Sequence, residues 1–132
     1  MAKKNITALP FDFEQLFGED TTVTASGVIG AVVDLKSYGF NEGTVVVDVT
    51  ASDDTDANET YVVTVEVSTD QAFTTPVAIA ARTLTAGTLG SQLIPVNNQG
   101  EEMYRYIRLN STLGGTTPSL TVNAYLSESI IR

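Results

Sequence analysis

The sequence predicts an all-β protein: an antiparallel β-sandwich of about eight strands, jelly-roll-like, with an N-terminal arm. Three observations lead there. Apolar and polar residues alternate with a period of two over several short runs rich in β-branched residues, the pattern of half-buried strands. Turn clusters separate these runs at the spacing of roughly 8–12 residues that marks sandwiches and barrels. No long stretch carries the 3.6-residue periodicity of an amphipathic helix, so two layers of sheet are the available way to bury the apolar faces. The 132 residues suit one domain, divided into an arm over residues 1–22 and a sandwich over 23–132.

Taken in order, the arm crowds Leu9, Phe11, Phe13, Leu16 and Phe17 behind a basic tip, Lys3 and Lys4. Asp12 is placed to cap a single helical turn that Gly18 would stop. A segment this apolar must bury itself on its own domain or on a neighbour. Weaker strand signals follow at 23–25, 31–36, 77–84 and 92–96. The strong ones are Val45, Val47, Val49 and Ala51, then Tyr61, Val63, Val65 and Val67. Between them lies the polar stretch 52–59, which reads as the loop of a hairpin pairing 45–51 with 60–67. A second hairpin is expected from Met103, Arg105, Ile107 and Leu109, a turn at 113–118, and Leu120, Val122, Ala124 and Leu126. An immunoglobulin-like sandwich has the same signature, and alternation does not separate the two topologies.

Composition narrows the chemistry. With no Cys and no His, disulfides, zinc fingers, haem or iron–sulfur ligation by those residues, and every nucleophile–His pair are excluded together. Seven basic against sixteen acidic residues leave a charge of -9, the wrong sign for gripping a phosphate backbone. The N-terminus Met1-Ala2-Lys3-Lys4-Asn5-Ile6-Thr7 has no apolar run behind it, so no signal peptide is expected, and the product is expected to stay in the cytoplasm or in an assembly built there. The longest apolar stretches, 28–33 and 44–49, fall well short of the ~20 residues of a membrane helix.

Four constellations invite a chemical reading. Asp54-x-Asp56-x-Asn58 has the alternation of the first ligands of a calcium loop, but Glu59 stands where that loop needs Gly and Val65 where it needs Glu; a solvated turn is the expectation. Asp48 and Glu66 fall on strands expected to pair, and two carboxylates about 5 to 9 Å apart in a cleft are what glycoside hydrolysis requires; cross-strand surface acids are the plainer reading. Gly27-Val28-Ile29-Gly30 and Leu113-Gly114-Gly115 lack the Lys-Ser/Thr of a phosphate loop and read as turns and bulges. Tyr104-Arg105-Tyr106-Ile107-Arg108 interleaves aromatics with arginines, as single-strand-binding surfaces do, but two arginines are too few in so acidic a chain. A sheet surface or protein interface is expected there instead.

Two segments carry a resemblance. Tyr61 to Pro76 is an alternating strand followed by Ser68-x-Asp70-x-Ala72-Phe73 and a short turn, and Tyr104 to Asn110 is followed by Gly114-Gly115-Thr116 and Leu120 to Leu126. Over residues 44–126 the chain resembles the cement, or decoration, proteins of tailed-bacteriophage capsids. The resemblance implies a small jelly-roll-like sandwich on the outer face of the virion capsid, made in the host cytoplasm. It implies the major capsid protein as partner, self-association as a dimer or trimer, and no catalytic residue, metal or cofactor. No nucleic-acid or membrane partner is expected. The expected contact residues are Lys3, Lys4, Leu9, Phe11, Phe13 and Phe17 of the arm, with Tyr104, Tyr106 and Arg108 as an exposed face. The competing expectation is a carbohydrate- or protein-binding sandwich module of a virion. A hydrolase is the third, and it lacks both His and a convincing acid pair.

Overall fold

The structure, a computed structural model, describes residues 16–35, 42–97 and 104–128. Those residues are all-β: β1 (Leu16–Val23), β2 (Gly27–Asp34), β3 (Glu42–Ser52), β4 (Thr60–Ser68), β5 (Val77–Leu84), β6 (Gly90–Asn97), β7 (Tyr106–Gly114) and β8 (Leu120–Glu128). They pack as a sandwich of two four-stranded antiparallel sheets, β1-β8-β3-β6 and β2-β7-β4-β5. The pairing is nested. β1 lies beside β8, β2 beside β7, β3 beside β6 and β4 beside β5, as in one long hairpin bent at its middle. Rolling that ribbon up adds the pairs β3·β8 and β4·β7. Consecutive strands are sheet neighbours only at β4–β5, unlike the immunoglobulin order, whose first two strands are adjacent.

Both expected hairpins are therefore corrected. β3 and β4 lie in opposite sheets, and so do β7 and β8. Each pair is an arch across the core, its connection spanning the ~10 Å between stacked sheets. Alternation reports which side of a strand is buried, and that side is the same for an arch and a hairpin. Val45, Val47 and Val49 of β3 face Tyr61, Val63, Val65 and Val67 of β4 through one shared core, all at most 2% exposed. Ile107 and Leu109 meet Leu120, Val122, Ala124 and Leu126 in the same way.

The sandwich also begins earlier than residue 23. Leu16–Val23 is a strand paired to β8, and Phe17 is 2% exposed inside the core, so the stretch read as the end of a helical turn is extended. The rest of the expected arm, residues 1–15, lies outside the described residues. β1 and β2 approach closely at one flank: Gly30 has φ +68, and a Cβ there would collide with the Phe17 carbonyl. At the other flank an Arg82 side-chain N–H donates to the Leu93 carbonyl (2.8 Å), tying β5 to β6. The edge strands are blunted by acids and bulges in β1, a bulge in β2 and Pro95 in β6, the usual defences against edge-to-edge pairing.

Odd strands run one way and even strands the other. The four short connections 24–26, 53–59, 85–89 and 115–119 thus gather at one end, here the loop end. At the opposite end, the arm end, lie the connection 69–76, the start of β1 at Leu16 and the end of β8 at Glu128.

Candidate functional site

Parts of the two segments that carry the resemblance, β4 with the connection 69–76 and β7, meet on the outer face of the second sheet, near the arm end. Alternation along β7 turns Ile107 and Leu109 inward and Tyr106, Arg108 and Asn110 outward. Register places Glu66 of β4 opposite Arg108, and the Arg108 Nε donates to the Glu66 carboxylate at 2.8 Å with both side chains largely covered. The guanidinium lies 4.2 Å from the centre of the Phe73 ring, so one plane serves an ion pair and a cation–π contact.

Phe73 reaches that position through the Ser68-x-Asp70-x-Ala72-Phe73 segment. The Ser68 hydroxyl donates to Asp70 Oδ1 (2.8 Å), and the Thr74 hydroxyl donates to Asp70 Oδ2 (2.7 Å) with the Thr74 N–H close by. These bonds hold the Asp70 carboxyl below the ordinary aspartate value of 3.8, the Thr74 hydroxyl first and the Ser68 hydroxyl second. Phe73 takes a left-handed backbone (φ 53) and tucks its ring in, 5% exposed. The motif is a local device for burying an aromatic ring under Arg108.

Arg105, just before β7, forms a two-pronged pair with Asp34 at the end of β2, at 2.8 and 3.0 Å, and lies over the Tyr106 ring. The paired carboxylate pushes the Arg105 guanidinium further up. The two arginines that looked like a binding surface are thus each matched by an acid of the same chain. Of the expected contact residues, Tyr106 and Arg108 share this face. Tyr104 packs against the core instead, Phe17 is inside it, and Lys3, Lys4, Leu9, Phe11 and Phe13 lie outside the described residues.

The acid constellations come apart. Asp48 and Glu66 stand on opposite sheets, Asp48 opposite Ser91 and Asn123 and Glu66 paired to Arg108, so they frame no cleft. In the calcium-like pattern, Asp54 turns toward Gly87, Asp56 accepts from Thr117 (2.7 Å), and Asn58 exchanges bonds with Thr116 (2.9 and 3.1 Å). Among the described residues no three His, Cys, Asp or Glu side chains converge as a metal-binding group. No helix among them is long and apolar enough to cross a membrane.

Sequence reading missed the tie that fixes the loop end. The Tyr61 ring is fully buried, and its hydroxyl donates to the Asp53 carbonyl (2.6 Å) while accepting from the Ser119 N–H (3.0 Å). One side chain thus clamps both arches. A tyrosine at the first inward position of an otherwise all-valine strand face was the available signal. No protein-family model and no curated protein matches the chain.

Proposed function

We propose that the protein is a capsid cement, or decoration, protein that binds the outer surface of a tailed-phage head and stabilises contacts between major capsid protein subunits. The observation that carries this reading is the meeting of its two resemblance-bearing segments: β4 and the connection 69–76 from the first are joined to β7 from the second through Glu66, Arg108 and Phe73, with β8 in the facing sheet. Residues far apart in sequence and alike in pattern to that family form one continuous feature. The nested strand order supports the jelly-roll form of the sandwich.

The mechanical role follows from the same features. Two hydrogen-bonded sheets flanked by Gly30 at one side and Arg82 at the other make a stiff block without any cross-link. Many modest contacts, repeated by capsid symmetry and by self-association as a dimer or trimer, supply avidity. Orientation follows from charge. Arg82, Arg105 and Arg108 are engaged within the sandwich, and the other four basic residues, Lys3, Lys4, Lys36 and Arg132, lie in segments that join the fold at the arm end. The loop-end connections carry Asp53, Asp54, Asp56 and Glu59 and no base. The arm end therefore faces the shell and the loop end faces solvent. Co-sedimentation with purified tailed-phage heads stripped of this protein tests the reading: saturable binding with copy number fixed by capsid symmetry is expected, and no binding at micromolar concentration would refute it.

A further inference from the structure

We infer that the loop end holds a hydrated calcium ion between the β3–β4 and β7–β8 connections, with Glu59, Asp56 and Thr117 as its protein ligands. The inference starts from Glu59. This residue ends the 53–59 connection and is 6% exposed, yet its Oε1 is buried with no hydrogen-bond partner. Its Oε2 lies 3.4 Å from the Thr117 hydroxyl. That hydroxyl has one proton, and it sits 2.7 Å from Asp56 Oδ2. Two carboxylates thus converge on a single donor that satisfies only one of them. A buried carboxylate without a donor or counter-ion is a costly arrangement, and it is kept where a cation completes it.

Among the described residues no basic side chain pairs with Glu59. The four loop-end connections contain Asp53, Asp54, Asp56 and Glu59 and neither Lys nor Arg. Asp53 is engaged by the Thr55 N–H (2.8 Å) and Asp54 faces Gly87, so these two add field without crowding the pair. Gly115 holds the second connection close: at φ +99, its Cβ position would lie 2.6 Å from the Asn58 carbonyl and from Glu59 Cα. Only glycine lets the two backbones approach this far, which brings Thr117 to the carboxylates. Asp56 and Thr117 are solvent-exposed above the buried Glu59, leaving an open side for water. Oxygen-only donors, two carboxylates and a solvent-exposed side suit a hard cation, and calcium tolerates so irregular a shell better than magnesium.

The test is thermal unfolding and isothermal titration of the full chain with CaCl2, beside NaCl at matched ionic strength. A dissociation constant on the order of 10⁻⁴–10⁻³ M, as in open oxygen-ligand sites, is expected with one ion per chain. At 10 mM calcium this favours the folded state roughly ten- to hundredfold. Glu59→Gln and Asp56→Asn should each fold and lose the calcium response. A response reproduced by NaCl would mean simple screening of the four acids and would overturn the inference. So would a response retained in both variants, or no calcium response at pH 7.5.

Discussion

Two truncations that differ by three residues separate the arm's role from the fold's. Removing residues 1–15 leaves all eight described strands whole; removing 1–18 also takes Leu16, Phe17 and Gly18 from β1. Phe17 is 2% exposed and in the core cluster, and losing a buried Phe side chain costs about 3–5 kcal/mol. The same cut removes the pairings Leu16↔Tyr125 and Gly18↔Ala124 and bares the flank where Gly30 abuts Phe17. At this chain length each kcal/mol is worth roughly 4 °C, so the longer truncation should melt some 12–20 °C lower, and the shorter within a few degrees of the full chain. Urea titration gives the free energies, and co-sedimentation with stripped heads is then run on both. The shorter truncation should stay folded and lose head binding. Undiminished binding would remove the arm from the mechanism. A full-length Phe17→Ala variant that loses less than about 1 kcal/mol would refute the core position of Phe17 itself.

Tyr61→Phe keeps the ring and deletes the hydroxyl that joins Asp53 to Ser119; at about 1 kcal/mol for each bond lost, denaturant unfolding should register about 2 kcal/mol, and less than 0.5 would refute the clamp. Gly115→Ala places a methyl group against the Asn58 and Glu59 backbone at a positive φ and should cost about 2 kcal/mol or more by the same measurement, while a neutral result would mean the two connections are not packed as described. The carboxyls of Asp53 and Asp70 are both lowered by hydrogen bonds, chiefly from Thr55 and Thr74. Groups depressed in the folded state contribute fully above their unfolded value of about 3.8, and the contribution is lost as pH falls through the lower folded values. Stability should therefore drop below about pH 4, with both carboxyl carbons titrating late in NMR; an Asp70→Asn variant with an unchanged acid limb would refute its share.

Burial was more legible than adjacency. The inward residues of β3, β4, β7 and β8 can be read directly from alternation, because a period of two reports the side of a strand that water does not reach. Which strand lies beside which depends on a few contacts made across the whole chain: here Tyr61 binding Ser119 holds the arches, and Arg108 covering Phe73 ties the connection 69–76 to β7 within the second sheet. Such pairs leave no local periodicity. Phe17 illustrates the other gap: a lone inward aromatic in a strand broken by Gly18 and bulged at Asp20 resembles an arm because its alternation is interrupted. The arginines of 105–108 were legible as a cluster, but not their acids, since Asp34 and Glu66 sit 71 and 42 residues away.

The absence of cysteine turns orientation on the shell into a clean measurement. Any introduced thiol is the only one in the chain, so a single substitution reports a single place. Thr88 is exposed in the connection 85–89 at the loop end, and Thr75 is exposed in the connection 69–76 at the arm end. Neither side chain has a hydrogen bond that a cysteine would break among those that hold the two connections. With the arm end against the shell, Thr88→Cys should react with a maleimide at the same rate on free and head-bound protein, and Thr75→Cys should slow at least tenfold on binding. The reverse pattern would put the acidic loop end on the shell, where four carboxylates would need basic partners on the capsid. Equal protection of both would point to a flat, side-on mode along one sheet, in which self-association and not the arm end sets the geometry.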